Sequence, residues 1–286
     1  MAIVLDNITY TYGVGTPFEK TALHGVSLTV ENGEFLGIIG HTGSGKSTFV
    51  QHLNGLLHPT TGTVTVNGVD ISASTEEAKK MRHKVGMVFQ YPEHQLFEET
   101  IAEDIAFGPK NLGLNADEVD ERVRDAMKFV GLDYDTYAER SPFHLSGGQM
   151  RRVAIAGVVA MNPDFLVLDE PSAGLDPFGR EEIFEEIIRL HKEKGITVIL
   201  VSHNMEDISR MASRLVVLDK GRIVLDGEPM DIFNNHRDEL QAVGVDVPPV
   251  SVTMEYLREQ GLDVSNRVLS VDDAVQAILE GGSHVK

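Results

Sequence analysis

Residues 40–48, with the sequence GHTGSGKST, leave fewer folds open to this 286-residue chain than any other segment. They follow a short apolar run at 35–40 and precede a stretch with apolar residues at helical spacing. A loop of the form GxxxxGK[ST] between a buried strand and a helix binds phosphate, because its glycines let backbone N–H groups surround an anion. The sequence therefore predicts an α/β domain that binds a nucleotide at the end of a strand.

Two residues of this loop have side chains suited to a nucleoside triphosphate. Lys46 supplies a positive charge for the β- and γ-phosphates, and the hydroxyl of Ser47 is a ligand for Mg²⁺. We expect the whole loop to contact the nucleotide, and it comprises Gly40, His41, Thr42, Gly43, Ser44, Gly45, Lys46, Ser47 and Thr48.

Two carboxylates stand at the end of another apolar run, FLVLDEP at 165–171. Charges at the end of a buried strand are costly unless they face a cation or a cleft. In an open α/β sheet this edge is the ligand crevice, where we expect Asp169 to bind Mg²⁺ and Glu170 to act as a general base. Helix capping before Pro171 is the alternative role of this pair.

Gln90 and His203 follow two further apolar runs, at 85–89 and 197–201. Strand ends of a parallel sheet meet at one edge, so we expect both side chains near Lys46. The amide of Gln90 is suited to hold the metal or a water, and His203 to reach a γ-phosphate oxygen and the attacking water.

The segment LSGGQMRRVAIAG at 145–157 predicts a second anion site. Two glycines and a serine precede a helical pattern, and a helix start offers free backbone N–H groups to an anion. The residues that form it are Ser146, Gly147, Gly148 and Gln149. Since the loop at 40–48 already serves one nucleotide, this second site needs a separate explanation.

The order of the elements predicts an α/β fold. Short β-type runs alternate with helical stretches, which is typical of a mostly parallel sheet with crossover helices. Alternation at 62–71 predicts an antiparallel β subdomain, and 214–227 predicts a hairpin. Helical spacing at 91–161 indicates an α-helical subdomain inserted into a P-loop NTPase core, and a small α-rich extension ends the chain.

We place an ATPase domain at 1–230 and the C-terminal extension at 231–286. Ser270 and Asp273 stand in capping-box positions before the last helical pattern. That helix has one apolar face, formed by Val271, Ala274, Val275 and Ile278. The face is expected to pack on its own domain or on another chain, and the second case gives the extension a role in dimerisation.

Composition excludes several classes of function. A net charge of −19 argues against binding nucleic acid, which requires clustered Lys and Arg. The absence of cysteine excludes disulfides and thiolate metal sites, and it favours the cytosol. The N-terminus lacks the pattern of a signal peptide, and the apolar runs are too short to cross a bilayer. We therefore expect any membrane role to depend on a partner.

Five motifs in one order resemble the nucleotide-binding subunit of ABC transporters over about residues 1–230: GHTGSGKST, VFQ, LSGGQ, VLDEP with SAGLD, and a histidine after a strand. The resemblance implies binding of ATP with Mg²⁺, and it makes Gln90 the Q-loop glutamine and His203 the switch histidine. It also implies an aromatic residue stacked on adenine. Tyr12 stands at that position, and Tyr10 is the alternative.

The same resemblance implies two ATPase subunits that face each other head to tail. Each nucleotide then lies between the phosphate loop of one chain and the LSGGQ segment of the other. Residues 145–149 would thus contact a nucleotide held by the partner, and 172–176 would be the D-loop.

A finer resemblance is to the ATPase subunits of energy-coupling factor (ECF) transporters, a group that includes cobalt and vitamin importers. It rests on FQYPEHQLFEETIAEDIAFGPKNLG at 89–113, on EPSAGLDP and on VGVDVPPV, and it favours the second, A′-type subunit. It implies uptake of a vitamin, a related micronutrient or a transition-metal ion through a transmembrane T component and a substrate-binding S component. The chain would pair with a homologous ATPase or with itself, at the cytoplasmic face of the membrane.

The acidic and aromatic composition after Gln90 suggests a contact with the T component. We hypothesise that YPEHQLF forms part of its groove, and that Glu93, Glu98 and Glu99 pair with arginines there.

Two other functions stay open at this point: the ATPase of a conventional ABC transporter, and a soluble ABC ATPase that acts on nucleic acid or ribosomes. Proteins of the second kind usually carry two cassettes or a basic extension, whereas this chain has one cassette and an acidic tail.

Overall fold

A computed structural model describes residues 1–282, which form two β-sheets and a set of surrounding helices. The strands are β1 (Ala2–Tyr12), β2 (Lys20–Glu31), β3 (Phe35–Ile39), β4 (Thr61–Val66), β5 (Val69–Asp70), β6 (Val85–Val88), β7 (Phe165–Asp169), β8 (Thr197–Val201), β9 (Arg214–Asp219) and β10 (Arg222–Gly227). The helices are α1 (Lys46–Leu53), α2 (Glu76–Arg82), α3 (Ile101–Asn111), α4 (Ala116–Phe129), α5 (Tyr134–Tyr137), α6 (Gly147–Val159), α7 (Pro177–Lys194), α8 (Met205–Met211), α9 (Pro229–Asn235), α10 (Arg237–Ala242), α11 (Pro249–Glu259) and α12 (Val271–Gly282).

The larger sheet has six strands in the order β10-β9-β3-β8-β7-β6. Its neighbours are parallel except for β9 and β10, which form the predicted hairpin. Side chains alternate between its two faces. Leu166 and Leu168 of β7 thus join the core shared with the inserted helices, whereas Phe165 and Val167 join the core shared with the smaller sheet. Burial on both faces explains why these strands read as continuous apolar runs.

The smaller sheet is the predicted antiparallel subdomain, with the order β2-β1-β4-β5. Its turn at Asn67 and Gly68 has φ values of 53° and 81°. Positive φ at both central residues is typical of the tightest hairpin turns, which the Asn-Gly dipeptide favours. This sheet packs against α1 and the larger sheet, so it covers one side of the loop at 40–48.

Helices α3 to α6 are inserted between β6 and β7, as the sequence predicts. Helix α4 begins with a capping box between Asn115 and Glu118, which satisfies backbone N–H groups at its start. Its buried residues lie at helical spacing and include Val119, Val123 and Met127. The insertion thus packs through one apolar face.

The chain after β10 packs in two ways. Helices α9 and α10 place Ile232, Phe233 and Leu240 in the core of the main domain. Helices α11 and α12 instead share a small cluster of their own, built on Met254, Val264, Val268 and Ala274. This packing favours an extension whose own core lies within 249–282. The last four residues of the predicted extension lie outside the described residues.

The predicted apolar face of α12 divides between core and solvent. Ala274 is buried and Ile278 packs beside it, whereas Val271 and Val275 are exposed. Ser270 caps the helix as predicted, because its hydroxyl accepts from the Asp273 backbone N–H at 3.1 Å. Among residues 1–282, none of the helices has the length and apolar character that crossing a bilayer requires.

Candidate functional site

The predicted site residues converge at the carboxyl edge of the larger sheet. A cleft of about 600 Å³ is lined by Lys46, Gln90, Asp169, Glu170 and His203, together with much of the loop at 40–48. These residues follow strands β3, β6, β7 and β8, which end at this edge. The sheet thus assembles side chains that lie up to 157 positions apart in the chain.

The loop at 40–48 is shaped by its glycines. A Cβ at Gly40 would lie 2.3 Å from the Leu218 carbonyl oxygen, so only glycine fits there. Gly45 has φ of 107° and ends the loop at the start of α1. No atom lies within 4 Å of the position of a Cβ at Gly43, which leaves the inner side of the loop open for a ligand.

Lys46 is 6% exposed and points back along its own loop. Its ammonium donates to the carbonyl oxygens of Gly40 at 2.6 Å and His41 at 3.1 Å. Burial lowers the pKa of Lys46, while the nearby carboxylates of Glu170 and Asp169 act in the opposite direction. These two contacts hold the ammonium against its own loop.

Ser47 and Asp169 form the hydroxyl–carboxylate pair expected of a metal site. Burial raises the pKa of Asp169, and a hydrogen bond from the Ser47 hydroxyl and the charge of Lys46 act against that rise. The Gln90 amide lies in the same cleft. The candidate metal ligands of Ser47, Asp169 and Gln90 are all oxygen atoms, which suit Mg²⁺. Within residues 1–282 no cluster of three or more His, Cys, Asp or Glu side chains is placed to hold a metal ion.

Glu170 has two unusual properties. Its backbone has φ of 53°, a left-handed conformation that is rare outside glycine and is concentrated at functional sites. Burial raises the pKa of its carboxyl to about 7, with Asp169 adding to the rise, while the His203 backbone N–H and Lys46 oppose it. A carboxylate with a pKa near neutrality is suited to accept a proton at physiological pH.

His203 lies over Glu170 at the same edge. Its Nε2 is 3.3 Å from Glu170 Oε1, and its ring is about half exposed to the cleft. Burial and the charge of Lys46 lower the pKa of His203, so the neutral imidazole prevails at pH 7. The geometry places one proton acceptor and one neutral hydrogen-bonding ring beside each other.

Tyr12 and Tyr10, the two candidates for stacking on adenine, have different surroundings. Tyr12 lines the cleft, is 42% exposed, and its hydroxyl lies 3.0 Å from Thr48 Oγ1. Tyr10 lies behind it, edge-on to Tyr12 at 4.8 Å and to His52 at 4.9 Å. Tyr12 thus presents a ring to the cleft, and Tyr10 supports it from below.

Two loop residues point away from the cleft. His41 Nε2 lies 2.9 Å from Asp219 Oδ1 and Nδ1 lies 2.8 Å from the Thr42 carbonyl oxygen. Ser44 is fully buried, next to the position of a Cβ at Gly40. Both residues shape the loop rather than face the open side of the site.

Sequence reasoning missed part of the cleft wall. Lys20, Thr21, Ala22 and His24 of β2 line it, and so do Lys220 and Gly221 of the β9–β10 turn. A Cβ at Gly221 would lie 2.2 Å from the Ala22 carbonyl oxygen, so the turn rests directly on β2. The turn was predictable from Lys220-Gly221, but its contact with a strand about 200 positions away was not.

Residues 145–149 lie outside this cleft. Ser146 caps α6, and its side chain and that of Gln149 form a capping box across the first turn. Ser146 and Gly147 are exposed, and no atom lies within 4 Å of the position of a Cβ at Gly147 or Gly148. The structure therefore shows an open helix start that is not part of the site built around Lys46.

Glu93 does not lie where the sequence hypothesis placed it. Its carboxylate points inward and makes a bidentate ion pair with Arg151, at 3.0 and 3.1 Å. The structure thus gives Glu93 a partner within the chain, and we retain Glu98 and Glu99 as the candidates for the surface contact. Glu99 remains exposed and Glu98 half-exposed.

The sheet, the phosphate loop, the paired carboxylates and the separate capped helix define a P-loop ATPase of the ABC type. A family model described as ABC transporter matches residues 23–173. The chain is 53% identical to the energy-coupling factor transporter ATP-binding protein EcfA2 of Clostridium tetani, over 98% of this chain and 97% of the relative. EcfA2 of Symbiobacterium thermophilum is 52% identical over 97% of this chain and 96% of the relative.

Solved structures give the same result. The cbiO1 protein of Clostridium perfringens, described as part of the ABC transporter complex cbiONQ, superposes with a TM-score of 0.73 at 36% identity, covering 84% of this chain and 94% of that one. A dimeric ATP-binding cassette in a post-hydrolysis state with ADP and Pi superposes with a TM-score of 0.70 at 31% identity, covering 79% and 98%.

The chain belongs to the family of energy-coupling factor transporter ATP-binding proteins. This confirms the predicted fold class and the predicted ECF family with its second, EcfA2-type subunit. The protein is an ATP-hydrolysing subunit of an ECF transporter.

Proposed function

We propose that this chain binds one ATP in the cleft and hydrolyses it to drive uptake of a small micronutrient. The single observation that carries the proposal is the meeting of Lys46, Asp169, Glu170 and His203 in one cleft, with residues 145–149 outside it. Tyr12 stacks on the adenine, and Lys46 exchanges its carbonyl partners for the β- and γ-phosphates. Residues 40–48 surround the phosphates with backbone N–H groups.

The oxygen donors of the cleft match the needs of Mg²⁺. Ser47, Asp169 and Gln90 would hold the ion, directly or through water. When bound with ATP, Mg²⁺ neutralises negative charge on the phosphates. Glu170 accepts the proton of the attacking water, and His203 hydrogen-bonds to the γ-phosphate and orients that water.

The raised pKa of Glu170 predicts a pH dependence. A general base works only when it is deprotonated, so kcat/KM should rise with pH through about 7 and level off above it. Below about pH 7, kcat/KM should fall about tenfold for each unit by which the pH is lowered. The measurement is kcat/KM for ATP between about pH 4 and pH 9.

A variant separates the two titratable groups at this site. His203→Gln should lower kcat/KM but should not move the pH at which kcat/KM rises. The backbone N–H of residue 203 still contacts Glu170 in this variant. A rise of kcat/KM centred near pH 4.5, the ordinary pKa of glutamate, would contradict the role of the buried carboxyl.

The position of residues 145–149 supports a head-to-tail pair of ATPase chains, the partner being a homologous ATPase or a second copy. The exposed start of α6 offers N–H groups and the Ser146 hydroxyl to an anion, yet the chain's own phosphate loop lies elsewhere. In such a pair, Ser146, Gly147, Gly148 and Gln149 contact the γ-phosphate of the ATP bound by the partner. A solved relative is a dimeric cassette bound to ADP and Pi, which supports the pairing of two chains.

Ser146→Arg tests the arrangement. The large cation should fill the open helix start and reduce hydrolysis at the partner's site by about 100-fold, while ATP binding at the variant's own loop stays normal. The measurement uses two mixed dimers. Lys46→Ala on the same chain as Ser146→Arg leaves only the partner's site to be read, and Lys46→Ala on the other chain leaves only the variant's own site. Thr253→Arg, an exposed position on α11, is the matched control. A defect confined to the variant's own site would contradict the proposal.

The surface after Gln90 supports contact with a transmembrane T component. Phe97 and Phe107 are both about half exposed and pack edge to face at 4.9 Å, forming an aromatic patch on the inserted subdomain. Glu98 and Glu99 lie next to it and are suited to pair with arginines on the T component. Through this contact the chain would sit at the cytoplasmic face of the membrane, with no part in nucleic-acid binding.

The C-terminal extension is proposed as a dimerisation element of the complex. Val252 and Tyr256 of α11 and Val271 and Val275 of α12 expose apolar surface on a unit with its own small core. Such a surface on an otherwise acidic extension is suited to pair with a similar extension. The ATPase domain is proposed at 1–230 and the extension at 231–286; the small core of α11 and α12 lies within this extension, whereas α9 and α10 pack on the main domain.

The transported molecule is expected to be a vitamin, a related micronutrient or a transition-metal ion, bound by an S component. The experiment is to purify the complex with its native membrane partners and identify the bound small molecule by mass spectrometry or metal analysis. Recovery of the chain with a polytopic T component and an S component would support the proposal. Recovery with a conventional pair of transmembrane subunits, or with ribosomes, would overturn it.

A further inference from the structure

Arg151 is the largest side chain in the buried core of the described chain, with only 2% of its surface exposed. A guanidinium stays charged in proteins, and burying it is costly unless every donor direction is satisfied. A buried ion pair usually contributes little to the stability of the fold, since well-packed apolar side chains of similar volume stabilise a protein as well or better. Its partners therefore show what it does.

The partners of Arg151 lie on two different loops. Nε and Nη2 form the bidentate pair with Glu93, and Nη1 donates to the carbonyl oxygens of Pro171 at 3.0 Å and Ala173 at 2.8 Å. A planar fork with two fixed directions holds both loops at defined positions. A lysine in its place has one ammonium and cannot reproduce this geometry.

Each contact lies next to a segment assigned to the reaction. Glu93 comes three residues after Gln90, Pro171 directly follows Glu170, and Arg151 itself is two residues after Gln149. The same two loops also come close at a second place, since a Cβ added at Gly174 would lie 3.7 Å from Cε1 of Tyr91. The three segments thus meet around one guanidinium.

We propose that Arg151 is a positioning residue that couples the loop after Gln90 to both nucleotide sites of the dimer. Displacement of Glu93 pulls on the guanidinium, which shifts the start of α6 toward or away from the partner's nucleotide. The same displacement moves Pro171 and Ala173, and with them the backbone of Glu170 in the chain's own cleft. This inference rests on the roles proposed above for Glu170 and residues 145–149.

The test compares three variants in the complete complex: Arg151→Met, Arg151→Lys and Glu93→Gln. Misplacement of reacting groups by about 1 Å costs up to 100-fold in rate, so we expect kcat for ATP to fall at least about tenfold in Arg151→Met. KM and the affinity for a fluorescent ATP analogue should stay within about twofold of wild type, because the phosphate loop is untouched. Arg151→Lys and Glu93→Gln should lie between Arg151→Met and wild type.

Glu182→Gln is the matched control, because Glu182 also pairs with an arginine of α6, Arg152, at 2.9 Å but touches neither loop. It should leave kcat unchanged. If Arg151→Met fails to fold, Arg151→Lys and Glu93→Gln carry the test. A double-mutant cycle between Arg151→Lys and Glu93→Gln should show strong non-additivity in kcat.

The outcomes separate this inference from the proposed function. Wild-type kcat in folded Arg151→Lys and Glu93→Gln, with Glu170→Gln inactive in the same assay, would overturn the positioning role alone. A lowered melting temperature with unchanged kcat per folded molecule would do the same, since it would mark a purely structural ion pair. Normal turnover by Glu170→Gln would instead overturn the proposed chemistry of the cleft.

Discussion

Glu170→Gln is expected to reduce ATP turnover by about 1,000-fold while leaving ATP binding intact. Glutamine keeps the size of the side chain and the left-handed backbone position, but it cannot accept a proton from water. The phosphate loop and Lys46 are unchanged, so the nucleotide still binds. The complex should then accumulate with ATP trapped between two chains in the closed state.

The effect is measured as steady-state phosphate release, together with the fraction of dimer retained on size exclusion in the presence of ATP. Glu206→Gln is the control, because Glu206 is an exposed glutamate at the start of α8, away from the cleft lining. Hydrolysis by Glu170→Gln at the wild-type rate would mean that another group activates the water.

Lys46→Ala is expected to weaken ATP binding by roughly 10-fold to 100-fold, since a hydrogen bond to a charged group contributes about 1.5–3 kcal/mol. The variant loses the contact with the β- and γ-phosphates. It also loses the two hydrogen bonds from the lysine to the carbonyl oxygens of Gly40 and His41. Hydrolysis at that site should be undetectable at ordinary ATP concentrations.

Equilibrium titration with a fluorescent ATP analogue measures the loss. Lys84→Ala provides the control, because Lys84 pairs with Asp164 beside the starts of β6 and β7, at the opposite end of the sheet from the cleft. Unchanged affinity in Lys46→Ala would show that the backbone N–H groups of the loop bind the phosphates without the lysine.

The fold and most of the cleft were predictable because the signals are local. The loop at 40–48 and the apolar strand before it read as one unit, and the run at 165–169 shows continuous burial within five residues. Parallel strands then place Lys46, Asp169 and His203 at one edge without any further information. The residues that carry the chemistry of the cleft thus lie in short segments that are recognisable from the sequence.

Contacts between distant segments were not predictable. Arg151 and Glu93 are 58 positions apart, and His41 and Asp219 are 178 apart. Nothing in their neighbourhoods distinguishes them from surface charges, which is why Glu93 was grouped with Glu98 and Glu99. The face of α12 shows the same limit, since helical spacing placed Val271 and Val275 beside Ala274 but did not set the width of the buried stripe.

Contacts within the chain hold the phosphate loop in one conformation. Lys46 holds its own carbonyl oxygens, Gly40 has no room for a side chain, and the turn at Gly221 braces β2 beside it. The arrival of ATP therefore exchanges partners on a rigid frame rather than ordering a loose segment. The conformational entropy of this loop was lost when the chain folded, so little of the binding energy of the nucleotide is needed to order it.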